Sequence, residues 1–237
     1  FETMFREHFG TAFITRLPEL FWNRADPADK SVRYRYHRLI SECFAEVYCD
    51  TLGKWCRDHG IVLTGHVKGE GTLALQAGSV GEAMRNYLHF QIPGIDMLCD
   101  KREYTTARQA QSVARQMGRT EVMSELYGVT NWDFDFAGHK LQGDWQAAMG
   151  VTLRVPHLAW ASMEGEAKRD FPASVFYQSP WYSRYHHLET YFARINTVMK
   201  CGRPVVSVAV IHPIESFWLD YGAAADAAAG AETGRLE

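Results

Sequence analysis

The sequence has no large excess of charge of either sign, no long apolar run and no paired-cysteine motif. Its formal net charge is −3 over 237 residues, and no Lys/Arg stripe breaks the balance. The electrostatic footprint of a nucleic-acid binder is therefore lacking. No stretch approaches the ~18 apolar residues that a membrane span needs, so no membrane partner is expected. The five cysteines (Cys43, Cys49, Cys56, Cys99 and Cys201) are odd in number and form no C-x-x-C, which argues against a disulfide scaffold or a zinc ribbon. Cys43, Cys49 and Cys56 fall on one helical stretch and read mostly as apolar fillers. The opening "FETMFREHFG" has neither an initiator Met nor a basic n-region, and reads as the start of a piece of a longer chain. Several catalytic signatures are also missing: H-E-x-x-H, a G-x-S-x-G elbow, a P-loop, and a G-x-G-x-x-G after a first strand.

What is present is apolar and aromatic. Hydrophobic residues make up 46% of the chain and aromatic residues 13%, enough for one large core; aromatic-rich loops suit sugar faces too, but composition alone favours the core. Residues 31–58 form the clearest helix, with Val32, Tyr36, Leu39, Ile40, Cys43, Phe44, Val47, Leu52 and Trp55 on one stripe, Ser31 as N-cap and Gly60 as stop. Strand and helix then alternate. "IVLTGH", "GIDMLCD", "EVMSELYG", "VTLRVPHLAW" and "VVSVAVIHP" read as strands, and 106–118, 135–150 and 183–202 as helices. Short connections between them are the signature of βα units on a parallel sheet. The expected fold is α/β, a (β/α)8 barrel of the TIM type. It is expected to be partial, with its later strands in this chain. Residues 1–30 are then a helical or loop insertion leading into the barrel, 31–221 the catalytic portion, and 222–237 a disordered Ala/Gly-rich tail.

Chemistry in such folds sits where strands end. Those ends carry His66, Lys68 and Glu70; Asp96 and Asp100; Glu125; His157 and Trp160; and His212 and Glu215. Each has a bland reading. Glu70 can be solvated on its Gly-rich loop, Asp96 can pair with a basic residue of the next unit, and Glu125 can be buried against Arg154 or Lys168. His157 can be a hydrogen-bonded core histidine, and Glu215 can open a helix. Five strand ends in five bearing an acid or an imidazole favour a shared polar pocket. With the other motifs absent, carboxylate acid/base chemistry remains, and glycoside hydrolysis is its best-defined form.

Four segments carry a family resemblance: "WCRDHGIVLTGHVKGE", "MSELYGVTNWDF", "GDWQAAMGVTLRVPHL" and "EGEAKRDFPASVFYQSPWYSRYHHLETYFARI". In this order they resemble glycoside hydrolase family 106, the α-L-rhamnosidases, over roughly residues 30–215. The resemblance implies a (β/α)8 catalytic domain within a larger multidomain protein. It implies hydrolysis of terminal α-L-rhamnose with inversion, a carbohydrate substrate and a calcium ion beside it. The sequence itself does not give the compartment; relatives that digest polysaccharides are commonly exported, and likeness to them would mean a periplasmic or extracellular setting. The glutamate of the family's S-E-x-Y-G-like segment falls on Glu125, which takes the general-base role. The partner acid falls on a strand before residue 1, with Glu70 as the candidate inside the chain. His66, Asp96, His157, Trp160, Lys168, Arg169, Asp170, Tyr177, Trp181 and Glu215 are the implied substrate contacts. A carbohydrate-binding or structural barrel piece without turnover is the alternative.

Overall fold

The computed structural model describes residues 1–22, 31–99, 101–157, 159, 162, 164–166, 175–202 and 204–222. In chain order the elements are α1 (Glu2–Phe9), a 3-10 segment (Ile14–Leu20), α2 (Ser31–Cys43), a π-helical segment (Phe44–Asp50) and α3 (Thr51–Asp58). Next come β1 (Thr64–Gly65), α4 (Leu73–Ser79), α5 (Ala83–Tyr87), β2 (Ile92–Met97), α6 (Tyr104–Gln116) and β3 (Met123–Leu126). The last are α7 (Phe136–Met149), β4 (Leu153–Pro156), α8 (His186–Lys200) and α9 (Ile214–Trp218). The chain divides into two compact units, one of Phe1–Thr51, Lys68–Asn86 and Val206–Glu237, the other of Leu52–Val67 and Tyr87–Val205.

The second unit holds the sheet. Four parallel strands lie in the order β1-β2-β3-β4. This corrects the expected fold. Among the described residues the sheet stops at four strands and does not close, so the chain is α/β but not a (β/α)8 barrel. The expected fifth strand is the clearest miss. Residues 204–213 make no strand, and Val205, Val208, Val210 and Ile211 are each more than 70% exposed. A β-branched run has the right propensity, but a strand exists only where a neighbour supplies a ladder.

The four strands present form for legible reasons. β2 is buried almost throughout, as suits a parallel strand covered on both faces. Ile95 and Leu126 are fully buried, and Met97, Val122, Met123 and Val151 nearly so. Helix α6 packs on β2 through a small-residue face, Ala107, Ala110 and Ala114. Its N-cap Glu103 accepts the Thr106 amide, and Gly118 follows its end at φ 68°. Asp135 caps α7 by accepting the Gly138 amide at 2.9 Å, and Gly150 ends that helix at φ 104°. A satellite core of Val175, Tyr185, Leu188 and Phe192 takes in Phe136, Trp181, Tyr191 and Ile195.

The first unit is helical. Phe1, Phe5, Phe13 and Tyr36 form one ring cluster, and Phe5 is fully buried. Ala77, Ile214 and Trp218 form a second core with Tyr34, Leu73, Phe217 and Tyr221 around it. The expected stripe on residues 31–58 is only partly right. Val32 and Leu39 are buried, but Ile40, Val47, Leu52 and Trp55 are exposed. The seven π-helical residues Phe44–Asp50 break the α-helical period, so the buried face beyond Cys43 runs through Ala45, Cys49, Gly53 and Cys56 instead. No described helix is long and apolar enough to cross a membrane.

Two outcomes follow from this packing. A Cβ on Gly94 would lie 2.3 Å from the Gly65 carbonyl oxygen and 2.6 Å from Met123 Cε, so β1 and β2 approach only because Gly94 has no side chain. Gly94→Ala is expected to cost about 2–3 kcal/mol in urea unfolding. Burial holds the His139 imidazole below its ordinary pKa; its Nδ1 lies 2.7 Å from the Asp135 carbonyl, and Nε2 has no partner among the described residues. The unfolded chain therefore takes up a proton here before the folded one does. Stability should be complete above about pH 6.5 and fall as pH drops below it. His212, half-buried and also held low by desolvation, adds to the same decline. Melting curves at about pH 7.5 and 5.5 should show a smaller drop for His139→Phe than for the parent chain.

Candidate active site

The parallel register builds the site. Asp96 pairs with Glu125 across β2 and β3, and Glu125 pairs with Val155 across β3 and β4. Register partners in a parallel sheet put their side chains on the same face, one strand spacing of about 4.8 Å apart. Two carboxylates are thereby set side by side near the carboxyl ends of β2 and β3, the edge where open α/β sheets hold ligands. His66 follows β1 directly and His157 follows β4, so each of the four strands delivers one ionisable group to the same edge. All four belong to the second unit.

The contacts are specific. His66 Nε2 lies 3.2 Å from Glu125 Oε2 and 3.9 Å from Asp96 Oδ2. His157 Nε2 lies 3.8 Å from Glu125 Oε1. Only the first is within hydrogen-bonding distance. The Asp96 and Glu125 side chains are 24% and 26% exposed, open enough for a ligand to reach. Burial pushes the Asp96 carboxyl above the usual carboxylate range; His66 pulls it back, and the neighbouring Glu125 charge pushes it further up.

The loops beyond these strands are strained. Cys99 (φ 59°), Tyr127 (73°), Val129 (61°) and Asn131 (67°) all adopt left-handed backbone, and they are the only non-glycine residues to do so among the described ones. For a β-branched residue such as Val129 this is a true outlier, and such positions gather at functional sites. The Cys99 amide donates to the Gly128 carbonyl at 2.7 Å and so ties the two loops together. Below them Arg154, its side chain 5% exposed, donates to the Tyr127 hydroxyl and to Glu189, each at 2.8 Å. Its guanidinium carbon stands 3.9 Å from the centre of the Phe192 ring. Burial pushes the Tyr127 phenol up to about 12. Arg154 thus serves Tyr127 and Glu189, and the buried pairing of Arg154 with Glu125 is not what forms. The organising role of Arg154 was not foreseen from the sequence; its only signal there is an arginine inside an apolar strand.

The remaining expected residues divide. Tyr177 is 62% exposed, with its ring against Phe176. Trp181 is tied up with Phe136, His139 and Tyr185 in a ring cluster. Glu70 and Glu215 belong to the first unit. Glu70 is buried, and its carbonyl accepts from Gln76. Glu215 accepts from Arg85 at 3.0 Å and from the Tyr34 hydroxyl at 3.3 Å, an ion-pair role. Trp160, Lys168, Arg169 and Asp170 lie outside the described residues.

The calcium ion implied by resemblance can be set against the donors present. His66, Asp96 and Glu125 each offer one atom, all within 4.8 Å of one another. Calcium takes six to eight oxygen ligands, and an imidazole at the centre of the set suits it poorly. No protein-family model and no curated protein matches the chain.

A Cβ on Gly128 would lie 2.5 Å from Leu98 Cδ2 and 2.6 Å from His157 Cγ. Gly128→Ala must therefore displace the His157 ring. We expect a loss of about 1–3 kcal/mol in chemical denaturation, together with a shift of the His157 ring signals in NMR.

Proposed function

We propose that this chain carries the base half of a glycoside hydrolase site, with Glu125 as the residue that activates water. The observation that supports this most is the convergence of Glu125, Asp96, His66 and His157 at one strand-end edge, bordered by strained loops. In this reading water attacks the anomeric carbon and Glu125 takes its proton. The glycosidic C–O bond breaks, and a separate acid protonates the leaving oxygen. The substrate class, a terminal α-L-rhamnoside cleaved with inversion, rests on the sequence resemblance.

Asp96 is not that acid for an inverting reaction. An inverting pair stands ~6.5–9.5 Å apart to admit water, whereas Asp96 and Glu125 are register neighbours with oxygens within 4.8 Å. The acid must come from outside the four-residue cluster. The same closeness favours a second reading, in which the paired carboxylates only grip sugar hydroxyls and no turnover occurs.

An activated aryl α-L-rhamnoside separates the two. Turnover with a drop of about 10²–10⁴ in kcat for Glu125→Gln is the expected result. Turnover that Glu125→Gln leaves intact would remove Glu125 from the chemistry. Saturable binding of rhamnose without turnover would move the case to the second reading.

A further inference from the structure

We infer that the strand-end cluster is a binding site for one divalent first-row transition cation, held by His66 Nε2, Asp96 Oδ2 and Glu125 Oε2, with His157 beside the other Glu125 oxygen. The inference concerns the same residues as the proposed hydrolase site but does not require turnover.

Distance is the first support. Ligands about 2.0–2.1 Å from a common ion stand roughly 3.0–3.4 Å apart, depending on whether the geometry is octahedral or tetrahedral. His66 and Glu125 already meet this at 3.2 Å; Asp96 lies 3.9 Å from His66, and all three donor atoms are within 4.8 Å of one another, so Asp96 is the ligand that moves in on binding. Origin is the second support. Asp96 and Glu125 are register partners on adjacent parallel strands and His66 follows β1 directly, so the sheet fixes the two acids and brings the imidazole to their edge.

His157 supplies an independent observation. It is only 9% exposed, and its Nδ1 has no hydrogen-bond partner among the described residues. Its other nitrogen points at Glu125 Oε1 from 3.8 Å, too far for a hydrogen bond. A buried imidazole that spends neither nitrogen on a described protein group is rare in a folded chain. With a cation on Glu125 Oε2, Oε1 stays turned toward His157 Nε2.

Donor chemistry points the same way: two adjacent carboxylates and an imidazole nitrogen meet within 4.8 Å of one another. The mixture of imidazole nitrogen and carboxylate oxygen selects zinc, manganese, iron or cobalt over calcium or magnesium, which prefer oxygen alone. Glu125 Oε1 lies outside the three-donor set. Ligation through Oε2 therefore leaves Glu125 one oxygen for a proton or for His157.

The test is direct metal binding to the chelator-stripped chain, with Zn²⁺, Co²⁺ and Ca²⁺ as probes. Calorimetry should give one Zn²⁺ per chain, bound at least tenfold tighter than Ca²⁺. Co²⁺ should give visible ligand-field bands, a readout that needs no variant. His66→Ala and Asp96→Asn should each weaken Zn²⁺ binding by more than tenfold while circular dichroism stays native, and His212→Gln, outside the cluster, should leave it unchanged. The inference fails if no stoichiometric Zn²⁺ binds, if Ca²⁺ binds tighter, or if His66→Ala binds Zn²⁺ as the parent does. Zn²⁺ binding without rhamnoside turnover keeps the cation site and removes the hydrolase. Turnover that depends on Glu125, in a chain that binds no stoichiometric Zn²⁺, keeps the hydrolase and removes the cation site.

Discussion

The pairing of Asp96 with Glu125 across β2 and β3 is the constraint on which the rest of the site depends. A parallel register fixes which side chains share a face, and a slip of one residue sends each to the opposite face. With Ile95 and Leu126 wholly buried next to the two acids, such a slip would expose core and bury both carboxylates. The hydrophobic pattern of β2 and β3 therefore enforces the acidic pair. The two imidazoles then enter from the ends of the flanking strands, His66 Nε2 at 3.2 Å and His157 Nε2 at 3.8 Å from the Glu125 carboxylate.

Holding the acids in place is costly, and the cost is visible in the backbone. Left-handed conformations at Tyr127 and Val129 cost on the order of 1–3 kcal/mol each and persist only when other contacts over-determine them. Tyr127 is over-determined: its hydroxyl accepts from Arg154, its ring lies 4.5 Å from that of His139, and its carbonyl accepts from Thr130 at 2.6 Å. Arg154 is anchored in turn by Glu189 of α8 and by the Phe192 ring. Helix α8 thus reaches the strained loop after Glu125 through one buried guanidinium, although it presents no residue to the cluster.

The sequence disclosed the local rules and hid the long-range ones. The helix end at Gly118 was readable, because glycine just past an apolar period marks a left-handed stop. The four acid- or histidine-bearing strand ends in the second unit were readable too, because strand ends place polar groups. Sheet closure was not, because the number of strands depends on partners rather than propensity, and residues 205–211 have strand-like composition with no ladder. The buried face of residues 44–58 was hidden by the π-helical segment, which changes the period without a distinctive residue type. Trp181 looked like a sugar platform, yet its ring completes the core around His139 and Tyr185. One aromatic composition serves both uses, and only coordinates separate them.

Backbone approach explains why the cluster is tight. Gly94 lets β1 close on β2, bringing the segment that carries His66 toward Asp96. Gly128 lets the His157 ring lie against the loop after β3. Gly143 lets Phe192 and the Tyr127 hydroxyl approach α7, a Cβ there falling 2.2 Å from the Phe192 ring. None of these three glycines is needed for a left-handed turn; each is needed because it lacks a side chain. A group of ionisable residues from four strands can meet only if the strands and their loops come closer than ordinary side chains permit. The glycines and the acids are thus two halves of one requirement, and a substitution at either half disturbs the other.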